Sequence, residues 1–345
     1  MAIIKIMKTN FLKNINEIPK QFLFDPKIIN ADNLKIKKPK YFIVLGMGGS
    51  ALAGDLLKNC LSNPKLIIHK NYGLPLIPEE VLKNSLIIAI SYSGNTEEVI
   101  DGYNQAKKKK LAIAVISTGG KLLIKAKKDK MPYVDVEIPD YNLQPRLALG
   151  LMMKALAVFV DDKKIINEFV SLSSNLNPKK FQKIGEKLAK EIFGYIPIIY
   201  ASEKNKSLAY QWKISFNENT KIPAFFNTFP ELNHNEMSGF DNSLKSKKLS
   251  QNFYFIFLQD KSDDLRLQKR MKILQNIFQE KKLKIQKIEL NKTSNLEKIF
   301  SSILLANFTS YYLAEKYLVD PEDLFLIENI KKLLLKIKSV NKIKF

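Results

Sequence analysis

Two observations predict an α/β protein made of two doubly wound αβα sandwich domains with parallel sheets, followed by a C-terminal helix. Short apolar runs alternate with longer segments of helical period, the pattern of successive βαβ units whose strands are covered on both faces. The same alternation resumes in the second half of the chain, after a Lys- and Asn-rich stretch near 162–180. At 345 residues the chain exceeds the usual size of one compact α/β unit, and the division is placed at residues 1–155 and 156–345.

Taken in order, strands are expected at 41–46, 65–69, 86–91, 111–117 and 133–138, with helices near 50–60, 76–83, 96–109 and 120–128 between them. A helix opening at Arg146 and running to about Asp161 bridges to the second half. There, strands at 197–201, 224–226, 253–258 and 285–290 alternate with helices near 205–216, 263–281 and 294–316. Pro197 is tolerable because it stands at a strand's first residue.

Two strand–helix junctions carry chemistry. The run Leu86 to Ile90 ends in Ser91-Tyr92-Ser93-Gly94-Asn95-Thr96, and the run Tyr41 to Leu45 ends in Gly46-Met47-Gly48-Gly49-Ser50. Hydroxyls of Ser91, Ser93 and Thr96, with the free N–H groups of a helix start, can converge on one phosphate while the glycines let the backbone approach it. Ligands on parallel sheets bind beyond the carboxyl ends of the strands, where both junctions fall. The second junction is not a dinucleotide fingerprint, because Ala51 stands where G-x-G-x-x-G needs its last glycine.

Composition excludes several classes. The net charge of +22 is almost all lysine, spread over many short runs without zinc-finger spacing or a helix-turn-helix module, so a solvated lysine-rich surface is expected rather than a specific nucleic-acid site. No apolar run reaches the roughly 20 residues of a membrane span, and the Lys-rich N-terminus lacks a signal-peptide core, which predicts a soluble cytoplasmic protein. The single cysteine, Cys60, reads as a small packed hydrophobe. No metal-ligating cluster is seen.

The scarce residue types narrow the candidates. Of three arginines, Arg266 and Arg270 lie four apart on a charged helix, whereas Arg146 follows Leu143-Gln144-Pro145 at the end of the first half. Its planar fork suits anionic oxygens, with a structural salt bridge as the competing account. Of two histidines, His69 ends a strand, and His234 stands in the polar cluster Glu231-Leu232-Asn233-His234-Asn235-Glu236. Glu218, leaving a helix end before a strand and flanked by Asn217 and Asn219, is a candidate proton carrier. On the residues alone Glu231 and Glu236 compete with it.

The motifs Gly48-Gly49-Ser50 and Ser91-Tyr92-Ser93-Gly94-Asn95-Thr96 resemble the sugar isomerase (SIS) domain, which binds phosphosugars. Gln144-Pro145-Arg146, Asn217-Glu218-Asn219 and Glu231 to Glu236 further resemble its bifunctional phosphoglucose/phosphomannose isomerase branch, from about Tyr41 to the C-terminal helix. The resemblance implies interconversion of glucose 6-phosphate, and of mannose 6-phosphate, with fructose 6-phosphate through an enediol, with no cofactor and no metal. Gly48, Gly49, Ser50, Ser91, Ser93 and Thr96 would hold the substrate and Arg146 would stabilise the enediolate. The family's base falls on Glu218, its ring-opening histidine on His234, contributed across a homodimer interface, and its ring-opening lysine on Lys331, with Lys332 the adjacent register.

Two departures stand out: Asp320-Pro321-Glu322-Asp323, where the family has Asp-Pro-Thr-Pro, and Pro139-Asp140-Tyr141, where a glycine is usual. The first touches Lys331 and discrimination at C2. The rivals are a non-catalytic SIS-type phosphosugar-binding regulator and the isomerase portion of an amide-transferring synthase. The first would leave Glu218 and His234 surplus, and the second would need an N-terminal cysteine where Ala2 follows Met1.

Overall fold

The computed structural model describes residues 10–61, 65–136, 143–241 and 245–341, with backbone alone for 335–341. The end of the strand expected at 133–138 and the Pro139-Asp140-Tyr141 departure reach outside the described residues.

The first half opens with α1 (Phe11–Asn16). It continues through β1 (Tyr41–Leu45), α2 (Gly48–Lys58), β2 (Leu66–His69), α3 (Glu79–Lys83), β3 (Ser85–Ser91), α4 (Glu97–Lys108), β4 (Ala112–Ser117), α5 (Gly120–Lys128) and β5 (Tyr133–Asp135). All five strands pair in parallel in the order β2-β1-β3-β4-β5. Burial on both faces explains the unbroken apolar runs: every residue of β3 and β4 is buried. The strand order reverses between β1 and β3, and the crevice at that reversal is where open α/β sheets hold ligands. Both glycine- and serine-rich junctions open there.

Three helices, α6 (Leu149–Val160), α7 (Lys163–Asn175) and α8 (Lys179–Ile192), connect to the second half. The second half comprises β6 (Ile196–Ser202), α9 (Lys206–Ser215), β7 (Phe225–Phe229), α10 (Lys247–Ser250), β8 (Phe253–Gln259), α11 (Leu265–Glu280), β9 (Lys284–Glu289), α12 (Asn295–Tyr317) and α13 (Phe325–Asn341). Its sheet is again wholly parallel, in the order β7-β6-β8-β9. The α/β architecture of two parallel sheets therefore follows the sequence reading. The helix expected to open at Arg146 instead begins at Leu149, and Arg146 sits in a short 3-10 turn, Pro145–Leu147.

The outer faces of the two sheets have separate cores. One packs Ile43, Ile87 and Val115 against Tyr103 of α4 and Leu122 of α5; the other packs Tyr200, Phe255 and Phe257 against Leu274 and Phe278 of α11. The inner faces share one core. Val44 and Ile88 from the first sheet, Ile199 and Ile256 from the second, and side chains of α2, α6, α9 and α12 form a single apolar cluster. The N-terminal segment stitches this layer, with Phe22 packed edge-on to Phe300 of α12 at 4.6 Å and its backbone carbonyl accepting from Lys154 of α6 at 2.6 Å.

At the strand-order reversal of the second sheet, beyond β6 and β8, a buried polar cluster fills the crevice. Lys298 donates to Asp260 at 2.7 Å, and Asn205 bridges Asp260 and Ser202, both at 3.1 Å. Burial alone would raise the Asp260 carboxyl, but Lys298, Ser262 and Asn205 together hold it well below the usual carboxylate range.

Candidate active site

The two junctions of the first sheet are joined to each other and to a third. Ser50, in the first turn of α2, accepts from the Tyr92 N–H at 3.2 Å. The Ser91 and Thr96 hydroxyls bond each other at 2.8 Å across the loop, while Ser93 is exposed at its tip. Gly94 adopts φ +65°, and a Cβ there would lie 1.8 Å from the Gly119 carbonyl oxygen, so only glycine fits. The loop rests on Ser117-Thr118-Gly119-Gly120 after β4: the Ser117 hydroxyl donates to the Ser91 carbonyl at 2.7 Å and the Thr118 hydroxyl to the Tyr92 carbonyl at 2.6 Å. This S-T-G-G segment escaped the sequence reading, although it repeats the signal of a hydroxyl- and glycine-rich turn after a buried strand.

The cup also meets the Gln144-Pro145-Arg146 segment. Tyr92 donates its hydroxyl to the Leu143 carbonyl at 2.9 Å, and a Cβ at Gly49 would lie 3.5 Å from the Pro145 oxygen and 3.7 Å from the Arg146 Cα. Arg146 is only 6% exposed. Its Nε donates to Asn219 Oδ1 at 2.7 Å, its Nη2 donates to the Pro321 carbonyl, and the guanidinium lies 5.3 Å over the Phe11 ring. Nη1 is buried with no hydrogen-bond partner. A fixed, charged donor with an unused N–H beside a phosphate-type cup is suited to an oxyanion.

Glu218 lies 3.8 Å from Arg146 Nε through its Oε2. It belongs to a π-helical turn, Phe216–Thr220, that continues α9, the rare geometry often found at functional sites. The turn is bolted to α12, since Asn219 Nδ2 donates to the Ser310 hydroxyl and the Thr220 hydroxyl to the Ser310 carbonyl, both at 2.9 Å. Lys221, in the left-handed region at φ 60°, donates to the carbonyls of both Glu218 and Asp323. Arg146 and Lys221 thus both tie the Glu218 turn to residues 320–323, the departure noted in the sequence. Burial raises the Glu218 carboxyl above the usual range, against the lowering charges of Arg146, Lys221, Lys213 and Lys331. Glu322 is likewise raised by burial and by Asp320, and its Oε1 is buried without a partner.

Lys331 lies exposed on α13, with its charge acting on Glu218. Lys332 is also exposed. His234 is placed elsewhere. It is exposed in the 3-10 turn Glu231–His234 beyond the carboxyl end of β7, whereas Glu218 precedes the amino end of the same strand. Five residues of strand at ~3.3 Å each separate the two ends by about 16 Å. Within one chain the two residues thus lie toward opposite ends of β7.

The competing glutamates are engaged locally. Glu236 accepts from the buried Tyr200 hydroxyl at 2.7 Å and from Asn227, anchoring the histidine loop, and Glu231 accepts from Asn235 at 2.9 Å. Burial pushes the Cys60 thiol up to about 12, the state of a packed thiol rather than a nucleophile. Among the described residues, no three His, Cys, Asp or Glu side chains gather as a metal site would require.

The bacterial phospho-glucose isomerase C-terminal SIS domain matches residues 181–334. The bifunctional phosphoglucose/phosphomannose isomerase of Thermoplasma acidophilum is 36% identical over 84% of this chain and 88% of its own length. That of Caldicellulosiruptor bescii is 34% identical over 89% and 93%. Among solved structures, the tagatose-6-phosphate ketose/aldose isomerase of Escherichia coli superposes with a TM-score of 0.63 at 16% identity, covering 90% of this chain and 93% of that one, which establishes the shared fold. With identity at this level over most of both lengths, the chain belongs to the bifunctional phosphoglucose/phosphomannose isomerase family.

Proposed function

We propose that this protein interconverts glucose 6-phosphate, and mannose 6-phosphate, with fructose 6-phosphate through an enediol. The observation that carries the reading is the Arg146–Glu218 pair at 3.8 Å beside the hydroxyl-lined cup. Gly48, Gly49, Ser50, Ser91, Ser93 and Thr96 hold the sugar phosphate by hydroxyls and by backbone N–H groups at the starts of α2 and α4.

Glu218 takes the proton from C2 of the open-chain aldose and returns it to C1. As a second proton leaves O2 and one arrives at O1, the C1 carbonyl becomes a hydroxyl and the C2 hydroxyl a carbonyl, while Arg146 Nη1 donates to the oxygen that carries the developing charge. A base with a raised pKa is better matched to this weakly acidic C–H than a solvated carboxylate. Lys331, and His234 of a second copy of the chain, open the ring; the separation of His234 from Glu218 across β7 supports a homodimer with composite sites. The division of the chain near residue 155 belongs to the same reading.

The test is incubation of purified protein with fructose 6-phosphate in EDTA, followed by NMR. Formation of both glucose 6-phosphate and mannose 6-phosphate is expected. Glucose 6-phosphate alone would remove the mannose activity, and binding without turnover would replace the isomerase by a phosphosugar-binding regulator.

A further inference from the structure

Strand residues that point at a covering helix are expected to be apolar, and under α11 they are so for only part of its length. The alternating positions on that face read Phe255, Phe257 and Gln259 along β8, and Ile285, Lys287 and Glu289 along β9. Phe255, Phe257 and Ile285 pack in the core that Leu274 and Phe278 of α11 complete. Toward the carboxyl ends of the strands the face turns polar and opens a cavity of about 510 Å³, in whose lining Met271 is the one apolar side chain.

Gln275 is the decisive residue. It stands on the buried side of α11 with Met271, Leu274 and Phe278, is 8% exposed and lines the cavity. Its Nε2 has no hydrogen-bond partner among the described residues. A buried donor left unpaired costs its full desolvation, which a leucine at this position would avoid. Inward charges on an edge strand such as β9 also deter strand addition. That account does not reach Gln259 on the interior strand β8, or Gln275 on the helix.

Charge sets the sign of the occupant. The acidic residues of the lining, Asp260 and Glu289, are already paired, with Lys298 and Lys287 respectively, each at 2.7 Å. Exposed Lys261, Lys269 and Lys272 therefore tip the cavity toward an anion. The amides of Gln259, Gln275 and Gln279 both donate and accept, as sugar hydroxyls do.

We propose that this cavity is a second binding site, for a hydroxyl-bearing phosphate ester, either a sugar phosphate or a nucleotide. The phosphate lies at the lysines, and an oxygen of the ligand accepts from Gln275 Nε2. The volume falls in the range of small-molecule sites. The cavity belongs to the second sheet, and its occupancy does not depend on chemistry at Glu218.

Methyl NMR of the full chain carrying 13C-methionine reads the two sites separately, because Met47 stands at the start of α2 in the cup and Met271 on the wall of the cavity. The probes are inorganic phosphate, AMP and fructose 6-phosphate. A saturable Met271 shift is expected with AMP or with fructose 6-phosphate, about 10-fold tighter than with inorganic phosphate, because only the esters reach the amides. A response to AMP alone assigns a nucleotide, and one to fructose 6-phosphate alone assigns a sugar phosphate. Equal affinity for inorganic phosphate would reduce the cavity to adventitious anion binding and overturn the ester, and no Met271 response up to ~10 mM of any probe would overturn the site.

Gln275→Leu should weaken the Met271 response about 10-fold while the Met47 response to fructose 6-phosphate stays as in wild type, which also shows the variant folded. Lys272→Met, on the exposed rim, should weaken it several-fold with the same Met47 control. An unchanged Met271 response in both variants would refute the proposal.

Discussion

Arg146 Nε stands 3.8 Å from the Glu218 carboxylate yet donates its hydrogen bond, at 2.7 Å, to Asn219. The guanidinium is therefore held by its neighbours rather than neutralised by the candidate base. Asn219, Pro321 and the Phe11 ring fix its plane, which leaves Glu218 able to exchange a proton and Nη1 able to receive an oxyanion.

Glu218→Gln keeps the shape of the turn and removes the proposed proton carrier. Fructose 6-phosphate affinity, measured calorimetrically, should stay near wild type while kcat falls about 10²- to 10⁴-fold. Retained turnover would remove Glu218 from its role.

The pH profile should report the buried position of Glu218. Because burial raises its pKa and only the deprotonated form can accept the C2 proton, kcat/KM should fall with decreasing pH at a value above the ordinary ~4.3 of a glutamate. Lys221→Met removes one of the charges that lower that pKa, so its acid limb should move further up; an unmoved limb would deny Lys221 that influence.

Arg146→Lys retains charge but cannot reproduce the fork that bonds Asn219 and Pro321 and still offers a free N–H. We expect kcat to drop about 10²- to 10³-fold, the scale of losing one oxyanion donor. A KM effect alone would place Arg146 in ground-state binding.

Gly94→Ala forces a side chain onto a backbone at φ +65° and 1.8 Å from the Gly119 oxygen. Shifting the loop should destabilise the fold by about 1–3 kcal/mol and weaken sugar-phosphate binding, readable as a lowered Tm together with a raised Kd.

Much of this site is legible in the sequence because its parts are local. Ser91, Ser93, Gly94 and Thr96 declare themselves by hydroxyl density after a buried strand, and Arg146 by its rarity among lysines. What stayed hidden depends on long-range geometry. Lys221 is one lysine among many until its left-handed backbone aims it at the carbonyl of Asp323, 102 residues away. Phe11 reads as an ordinary apolar residue until Arg146 lies over it. His234 was visible as a polar-cluster histidine, but its distance from Glu218 follows only from the direction of β7.

Lys298→Met leaves the buried Asp260 with only the longer contact to half-exposed Lys204 at 3.9 Å, which should cost up to about 3–5 kcal/mol at neutral pH. The sign with pH is fixed. In wild type the depressed Asp260 contributes stability above the unfolded carboxylate pKa of ~3.9 that is lost as pH falls toward its folded value. In the variant Asp260 must ionise without its short Lys298 contact, supported only by Lys204, Ser262 and Asn205, so the deficit in Tm should shrink on acidification; a deficit that is constant with pH would assign the loss to packing.

The single apolar layer between the two sheets has a mechanical consequence. Since α2, α6, α9 and α12 contribute side chains to one cluster with both inner faces, swinging the halves apart would tear hydrophobic contacts along the whole seam. The cup hangs from one sheet and the Glu218 turn from helices of that seam, so their spacing is set when the chain folds and is not reset each time a substrate arrives. Cup and candidate base are thus held like the two ends of one beam, joined through packed side chains rather than across a hinge.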